Sequence, residues 1–142
     1  MRIITRQVEE QPLTVIIEYP KYNEFVAGMV RKIESMDIEL AASNDDKQVR
    51  IPLSEIYYFE VVERKIFIYT EKEVYRLAIT MAELEDMTRG SDIVRISRTC
   101  LMNIEHLDGI KQIRNSHLEA ELDNGEKLIV SRKYLKDIKQ RF

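Results

Sequence analysis

Residues Ile56 to Thr70 read IYYFEVV-ERK-IFIYT, two runs of β-branched and aromatic side chains separated by three charged residues. Such side chains pack well on a pleated surface and lose rotamer freedom in a helix. The first run, Ile56 to Val62, is apolar at successive rather than alternate positions, as expected of a strand covered on both faces. Glu63-Arg64-Lys65 is then a charged tip and Ile66 to Thr70 the returning strand. A hairpin that needs cover on both sides commits the chain to a layered, mainly β architecture.

The flanking sequence agrees. Arg2 to Arg6 and Leu13 to Glu18 read as short strands around an acidic EEQP turn, and Tyr19-Pro20 ends the second because proline removes a ladder donor. Phe25, Val26, Met29, Val30 and Ile33 fall at helical spacing, which predicts an amphipathic helix over about Tyr22 to Ser35. Ile38 to Ala42 and Lys47 to Leu53 flank the turn-forming Ser43-Asn44-Asp45-Asp46 and predict a hairpin. Glu73 to Ile79 is another strand. Thr80 and Glu83 have capping-box spacing, with the Glu83 side chain returning to the Thr80 amide. They open a helix over Met81 to Thr88 that turns Met81, Leu84 and Met87 inward before Gly90.

Ile93, Val94 and Ile96 begin a further strand whose alternation breaks at Ser97 and is re-anchored by Cys100-Leu101-Met102-Asn103. Ile104 to Arg114 starts irregularly and becomes a strand. His117 to Asp123 alternates, Asn124-Gly125 signals a two-residue turn with positive φ at both positions, and Glu126 to Val130 returns. Ser131 is positioned to cap a terminal helix, Arg132 to Arg141, with Leu135 and Ile138 inward. The expectation is about nine or ten short strands and three helices with no βαβ repeat.

The chain has 142 residues and a net charge of −3. One cysteine, Cys100, excludes an internal disulfide and fits a reducing compartment. No apolar run is long enough to span a bilayer and no signal-peptide core follows Met1, so the sequence reads as soluble and cytoplasmic. The charge is unevenly spread. Residues 1–88 carry 11 basic and 17 acidic side chains, and residues 89–142 carry 11 basic and 8 acidic. An acidic chain of this kind can still present one basic face.

Little here suits catalysis. His106 and His117 are the two histidines, and neither lies near a nucleophile in sequence. Cys100 sits in an apolar run as a buried thiol would, and no metal-ligand spacing or phosphate-cradling glycine cluster appears. No enzyme activity, cofactor or metal is expected. Cations do gather at three tips: Arg64-Lys65 in the hairpin, Arg95 to Thr99 after the middle strand, and Arg132-Lys133 at the last helix. Each alone could be a solvated loop. Together they are suitable donors for phosphates and guanine edges.

Three stretches carry a more specific signal. YYFEVVERKIFIYT, VRISRTCLMN and NGEKLIVSRKYLKDIK, in this order and spacing, resemble the LytTR-type DNA-binding domain of bacterial transcription regulators. The resemblance covers about residues 43–142. It implies an elongated β-sandwich of small sheets with short helices, whose loops enter successive major grooves of double-stranded DNA. Residues 1–42 are then a small strand–strand–helix extension, similar to that of stand-alone members without a receiver domain.

Carried over by position, the implied base-reading residues are Arg64 or Lys65, Arg98 and Lys133. Arg95, Ser97, Thr99, Arg132 and Lys136 are implied phosphate ligands, with Arg95 equally able to be structural. Asn103 is expected to pin its loop. The function implied is a sequence-specific transcription regulator acting as a homodimer, with the stripe Phe25, Met29, Ile33 as the candidate dimer surface. The alternative is a protein-interaction module that dimerises with a related regulator and modulates it, in keeping with the acidic N-terminal half.

Overall fold

The computed structural model describes residues 1–141; Phe142, the last residue of the expected domain, lies outside them. In chain order the elements are α1 (Glu24–Ser35), β1 (Glu39–Asn44), β2 (Lys47–Pro52), β3 (Ile56–Val62), β4 (Lys65–Thr70), β5 (Val74–Leu77), α2 (Met81–Met87), β6 (Ile93–Arg95), β7 (Cys100–Asn103), β8 (Leu107–Gln112), β9 (Leu118–Leu122), β10 (Lys127–Val130) and α3 (Leu135–Arg141). The mainly β expectation is correct. The strands form a seven-stranded sheet in the order β2-β1-β5-β4-β3-β7-β6 and a three-stranded sheet in the order β10-β9-β8. Every pairing is antiparallel.

β3 sits inside the larger sheet and is covered on both faces. Ile56 and Phe59 belong to a core that includes Leu40, Ile68, Leu101 and, from α2, Leu84. Tyr57 and Tyr58 belong to a second core with Met102, Leu118, Ala120 and Ile138, between the larger sheet, the smaller sheet and α3. A register shift between Ile56 and Tyr58 explains why two successive tyrosines share a side. Phe59 is fully buried, and truncating such a side chain to alanine costs about 3–5 kcal/mol.

His106 joins the two sheets. Its Nδ1 lies 3.0 Å from Asp123 Oδ2, at the end of β9, and its Nε2 lies 2.6 Å from the Ser54 carbonyl, just before β3. Tyr57 stacks on its ring at a centroid distance of 4.1 Å. Asp123 beside Tyr57, together with burial, lifts the phenol to about 12. The same contacts, Tyr57 first and His106 second, hold the Asp123 carboxyl below its ordinary range.

The strands expected at Arg2 to Arg6 and Leu13 to Glu18 are absent: residues 1–23 form no helix or strand. Ile3, Leu13 and Ile16 are 77%, 98% and 79% exposed. Two isolated strands without an apolar layer are marginal in water, so β propensity alone does not order them. The extension is therefore an irregular arm followed by α1. The division expected at residues 42 and 43 falls within β1, which pairs with β2 along its whole length.

Smaller differences have local causes. α1 starts at Glu24 because Asn23 caps it, accepting the Val26 amide at 3.0 Å. Thr80 accepts the Glu83 amide as expected, but the Glu83 carboxylate accepts the Thr80 hydroxyl at 3.2 Å rather than returning to the amide. Met87 is 47% exposed, not inward, since α2 is only seven residues long and Leu84 fills its contact with the sheet. At Asn124-Gly125 only Gly125 has positive φ. The Gly125 amide donates to Leu122 and the Leu122 amide to Glu126, a three-residue loop with a glycine bulge. Ser131 makes no side-chain cap bond, and α3 is preceded by a 3₁₀ turn, Arg132–Tyr134.

Candidate nucleic-acid interface

The antiparallel register puts two of the cationic tips at one end of the larger sheet. β3 runs toward the hairpin tip and turns at Glu63-Arg64, with Val62 opposite Lys65. β7 begins opposite the same end of β3, with Cys100 paired to Glu60. The loop Ile96–Thr99 therefore lies beside the hairpin tip, and the Val61 amide donates to the Thr99 carbonyl at 2.7 Å. The third tip is drawn in from the smaller sheet: the Ser131 amide donates to the Ile96 carbonyl at 2.8 Å. Two backbone hydrogen bonds thus link three segments distant in sequence.

The middle loop is held from within and from behind. The Ile96 and Ser97 amides both donate to the Cys100 carbonyl, and the Thr99 amide donates to Ser97 Oγ at 3.2 Å. Ile96, the loop's first residue, is fully buried in the second core and anchors the loop there. The Arg95 guanidinium is fully engaged. Nε donates to the Ser97 carbonyl at 3.1 Å and Nη2 to the Arg98 carbonyl at 2.8 Å, while Nη1 pairs with Glu85 Oε1 at 2.7 Å. It fixes the backbone that presents Arg98, whose own side chain is exposed.

Asn103 closes the far end of β7. It is 1% exposed and donates to the carbonyls of Leu53 and Ile56 at 3.1 and 2.8 Å, while its oxygen accepts the Glu105 amide at 3.0 Å. That is the pinning role expected of it. Cys100 lies at the base of the loop, and burial, with Glu60 nearby, pushes its thiol up to about 12, as befits a packing residue.

Arg64, Lys65, Arg98, Arg132, Lys133 and Lys136 are all exposed. Among the described residues none of the six is in an ion pair, whereas Arg31, Arg89, Arg95 and Arg141 each have a carboxylate partner. Lys133 Nζ lies 5.7 Å from the Tyr134 ring centroid, a contact that orients the chain without neutralising it. Ser97 and Thr99 belong to the same loop as Arg98. Two contributors had no signal in the sequence. Glu85 orients Arg95 from ten residues upstream on another element, and Ser131 acts through its amide rather than its hydroxyl. Among the described residues there is no cluster of side chains able to hold a metal, and no helix is long and apolar enough to cross a membrane.

A stiff β platform that projects several unpaired cations from adjoining loops defines a class of protein suited to a polyanionic, grooved surface. The comparisons agree: the LytTr DNA-binding domain family model matches residues 46–142. The chain belongs to the LytTR DNA-binding domain family. It is similar to the sensory transduction protein LytT of Enterococcus faecalis, with 26% identity over 97% of this chain and 58% of that protein. The LytT of Bacillus anthracis is also 26% identical, over 93% of this chain and 56% of its own length. The chain thus spans little more than half the length of these relatives. An uncharacterised HTH-type transcriptional regulator of Staphylococcus aureus is 24% identical over 88% of this chain and 86% of its own length. The LytTr DNA-binding domain of a Bacillus cereus protein shares the fold, with a TM-score of 0.67 at 21% identity, covering 72% of this chain and 94% of that one.

Proposed function

We propose that the chain is a sequence-specific transcription regulator that binds double-stranded DNA as a homodimer in the bacterial cytoplasm. Arg64 and Lys65, Arg98, and Lys133 enter successive major grooves and read base edges. Ser97, Thr99, Arg132 and Lys136 contact phosphates. Arg95 contributes mainly by holding the backbone on either side of Arg98. The observation that carries this reading is the pair of backbone hydrogen bonds from Val61 to Thr99 and from Ser131 to Ile96, which ties three otherwise separate tips together. Tips so linked approach a duplex as one unit and lose little freedom on binding, which favours affinity.

The test is a salt series of binding to the DNA upstream of the protein's own coding sequence, with a scrambled duplex alongside. Log affinity is expected to fall against log salt with a slope of about −0.9 per neutralised phosphate. Arg98→Ala and Lys133→Ala are expected to weaken the preferred duplex by roughly 1–3 kcal/mol each and to narrow its advantage over the scrambled one. Arg132→Ala and Lys136→Ala should weaken both duplexes alike and flatten the slope. Unchanged affinity in Arg98→Ala and Lys133→Ala for every duplex would remove the assigned contacts.

A further inference from the structure

The arm that precedes α1 presents a surface the rest of the chain does not cover. Met1, Ile3, Ile4, Leu13 and Ile16 are 90%, 77%, 73%, 98% and 79% exposed, and Phe25, at the start of α1, is 65% exposed. Beyond Phe25, the exposed large apolar side chains among the described residues are Met36, just after α1, and Val62, Val74, Met87 and Ile129, each on a different element. Among the described residues the arm therefore has no second apolar patch to fold onto. Ordinary monomers keep their largest such patch to a few hundred Å².

We infer that residues 1–22 are the surface through which two copies of this chain associate, by pairing as strands across a two-fold axis. The inference deepens the homodimer reading and rests on it. Four observations select a second copy. First, Leu13 to Glu18 is strand-forming in composition and bounded by Pro12 and Pro20, so its ladder has defined ends. Antiparallel pairing of this segment with itself sets Val15 opposite the partner's Ile16. That arrangement is self-complementary, as a two-fold contact requires.

Second, the arm balances its own charge. Arg2, Arg6 and Lys21 stand against Glu9, Glu10 and Glu18, so two arms meet without net repulsion. Third, ten large apolar side chains between Met1 and Phe25 are exposed, a supply of the kind from which an interface of roughly 800 Å² per partner is built. Fourth, two arms supply up to four strands, where one arm supplies a marginal pair. The stripe first read as the dimer face, Phe25, Met29 and Ile33, is divided in the structure: Met29 and Ile33 are half-buried, and Phe25 alone stays open beside the arm.

The experiment is light scattering of the full chain from low micromolar to sub-millimolar concentration, alongside Ile16→Asp and Leu13→Asp. Both positions are exposed, so thermal unfolding of the monomer should be unchanged, and that is checked first. The expected result is twice the chain mass for the wild type and a single mass for both variants. Ile16→Asp should also lose at least tenfold in affinity for a duplex with two half-sites while keeping its affinity for one. A wild type that stays monomeric overturns the inference, as does a dimer that survives both substitutions. So does a monomer that sediments with lipid vesicles through the same residues. A wild-type dimer broken by both substitutions, in a protein without duplex preference, would support the surface and refute the DNA reading instead.

Discussion

The backbone amide of Ser131 donates to the carbonyl of Ile96 across 2.8 Å, joining the smaller sheet to the loop that carries Arg98. Ser131 already has φ −70°, within the range that proline imposes. Ser131→Pro therefore removes this donor without demanding a new φ. A net hydrogen bond is worth about 1 kcal/mol, so the fold should survive with a small drop in denaturation midpoint. Specific DNA affinity should fall several-fold as the Lys133 tip detaches from the Arg98 tip. Ser131→Ala keeps the amide and should match wild type in both measurements, because the hydroxyl caps nothing.

Arg95→Ala should separate loop order from charge. The Glu85 pair is part-exposed on both sides, and such pairs contribute at most about 1 kcal/mol, so stability should change little. The carbonyls of Ser97 and Arg98 lose their donors, however, and the loop should loosen. Faster amide exchange at Ser97–Thr99 and weaker specific binding are expected. Arg95→Lys keeps the charge but cannot span three acceptors, so it should restore the salt slope without restoring specificity.

Asn103 serves two carbonyls and one amide in a fully buried position. Asn103→Ala leaves these groups unmet, at a cost of roughly 2–4 kcal/mol. Urea unfolding should show the midpoint falling with its slope unchanged. Asn103→Asp should be as damaging, because a carboxylate cannot donate to Leu53 and Ile56.

The His106 hinge predicts a pH window. The folded Asp123 carboxyl is held below its ordinary value of 3.8, so its contribution is present above that value and is lost as pH falls through the lower folded one. The Tyr57 phenol is raised from 10.0 to about 12, so its contribution is present below 10 and is lost as pH rises toward 12. Asp123→Asn should unfold at a slightly lower temperature than wild type at neutral pH, and the gap should close in acid. The half-exposed carboxylate keeps the effect small.

Most of the sheet structure was legible because patterns of period two and strong turn residues act locally. Ile56–Val62 was read to the residue, and the cover on both its faces followed from its unbroken apolar run. The exposed cations at the tips could also be named. Their adjacency could not, because it depends on the pairing of β3 with β7 and on two backbone hydrogen bonds, which leave no mark on side-chain pattern. The engagement of Arg95 was open for the same reason. The arm failed in the opposite sense. Leu13 to Glu18 has the composition of a strand, yet propensity does not supply the neighbour a strand needs.

Glu63 and Arg64 form the β3–β4 turn with φ of 52° and 65°, a region that glycine or asparagine occupies far more easily. Asn-Gly at these two positions would relax the turn and raise the melting temperature, but it would also delete a cation from the tip proposed to face DNA. The hairpin thus marks a place where selection for durability and selection for recognition pull apart. A laboratory evolution experiment that rewards heat resistance alone should drift toward the relaxed turn and lose its operator on the way.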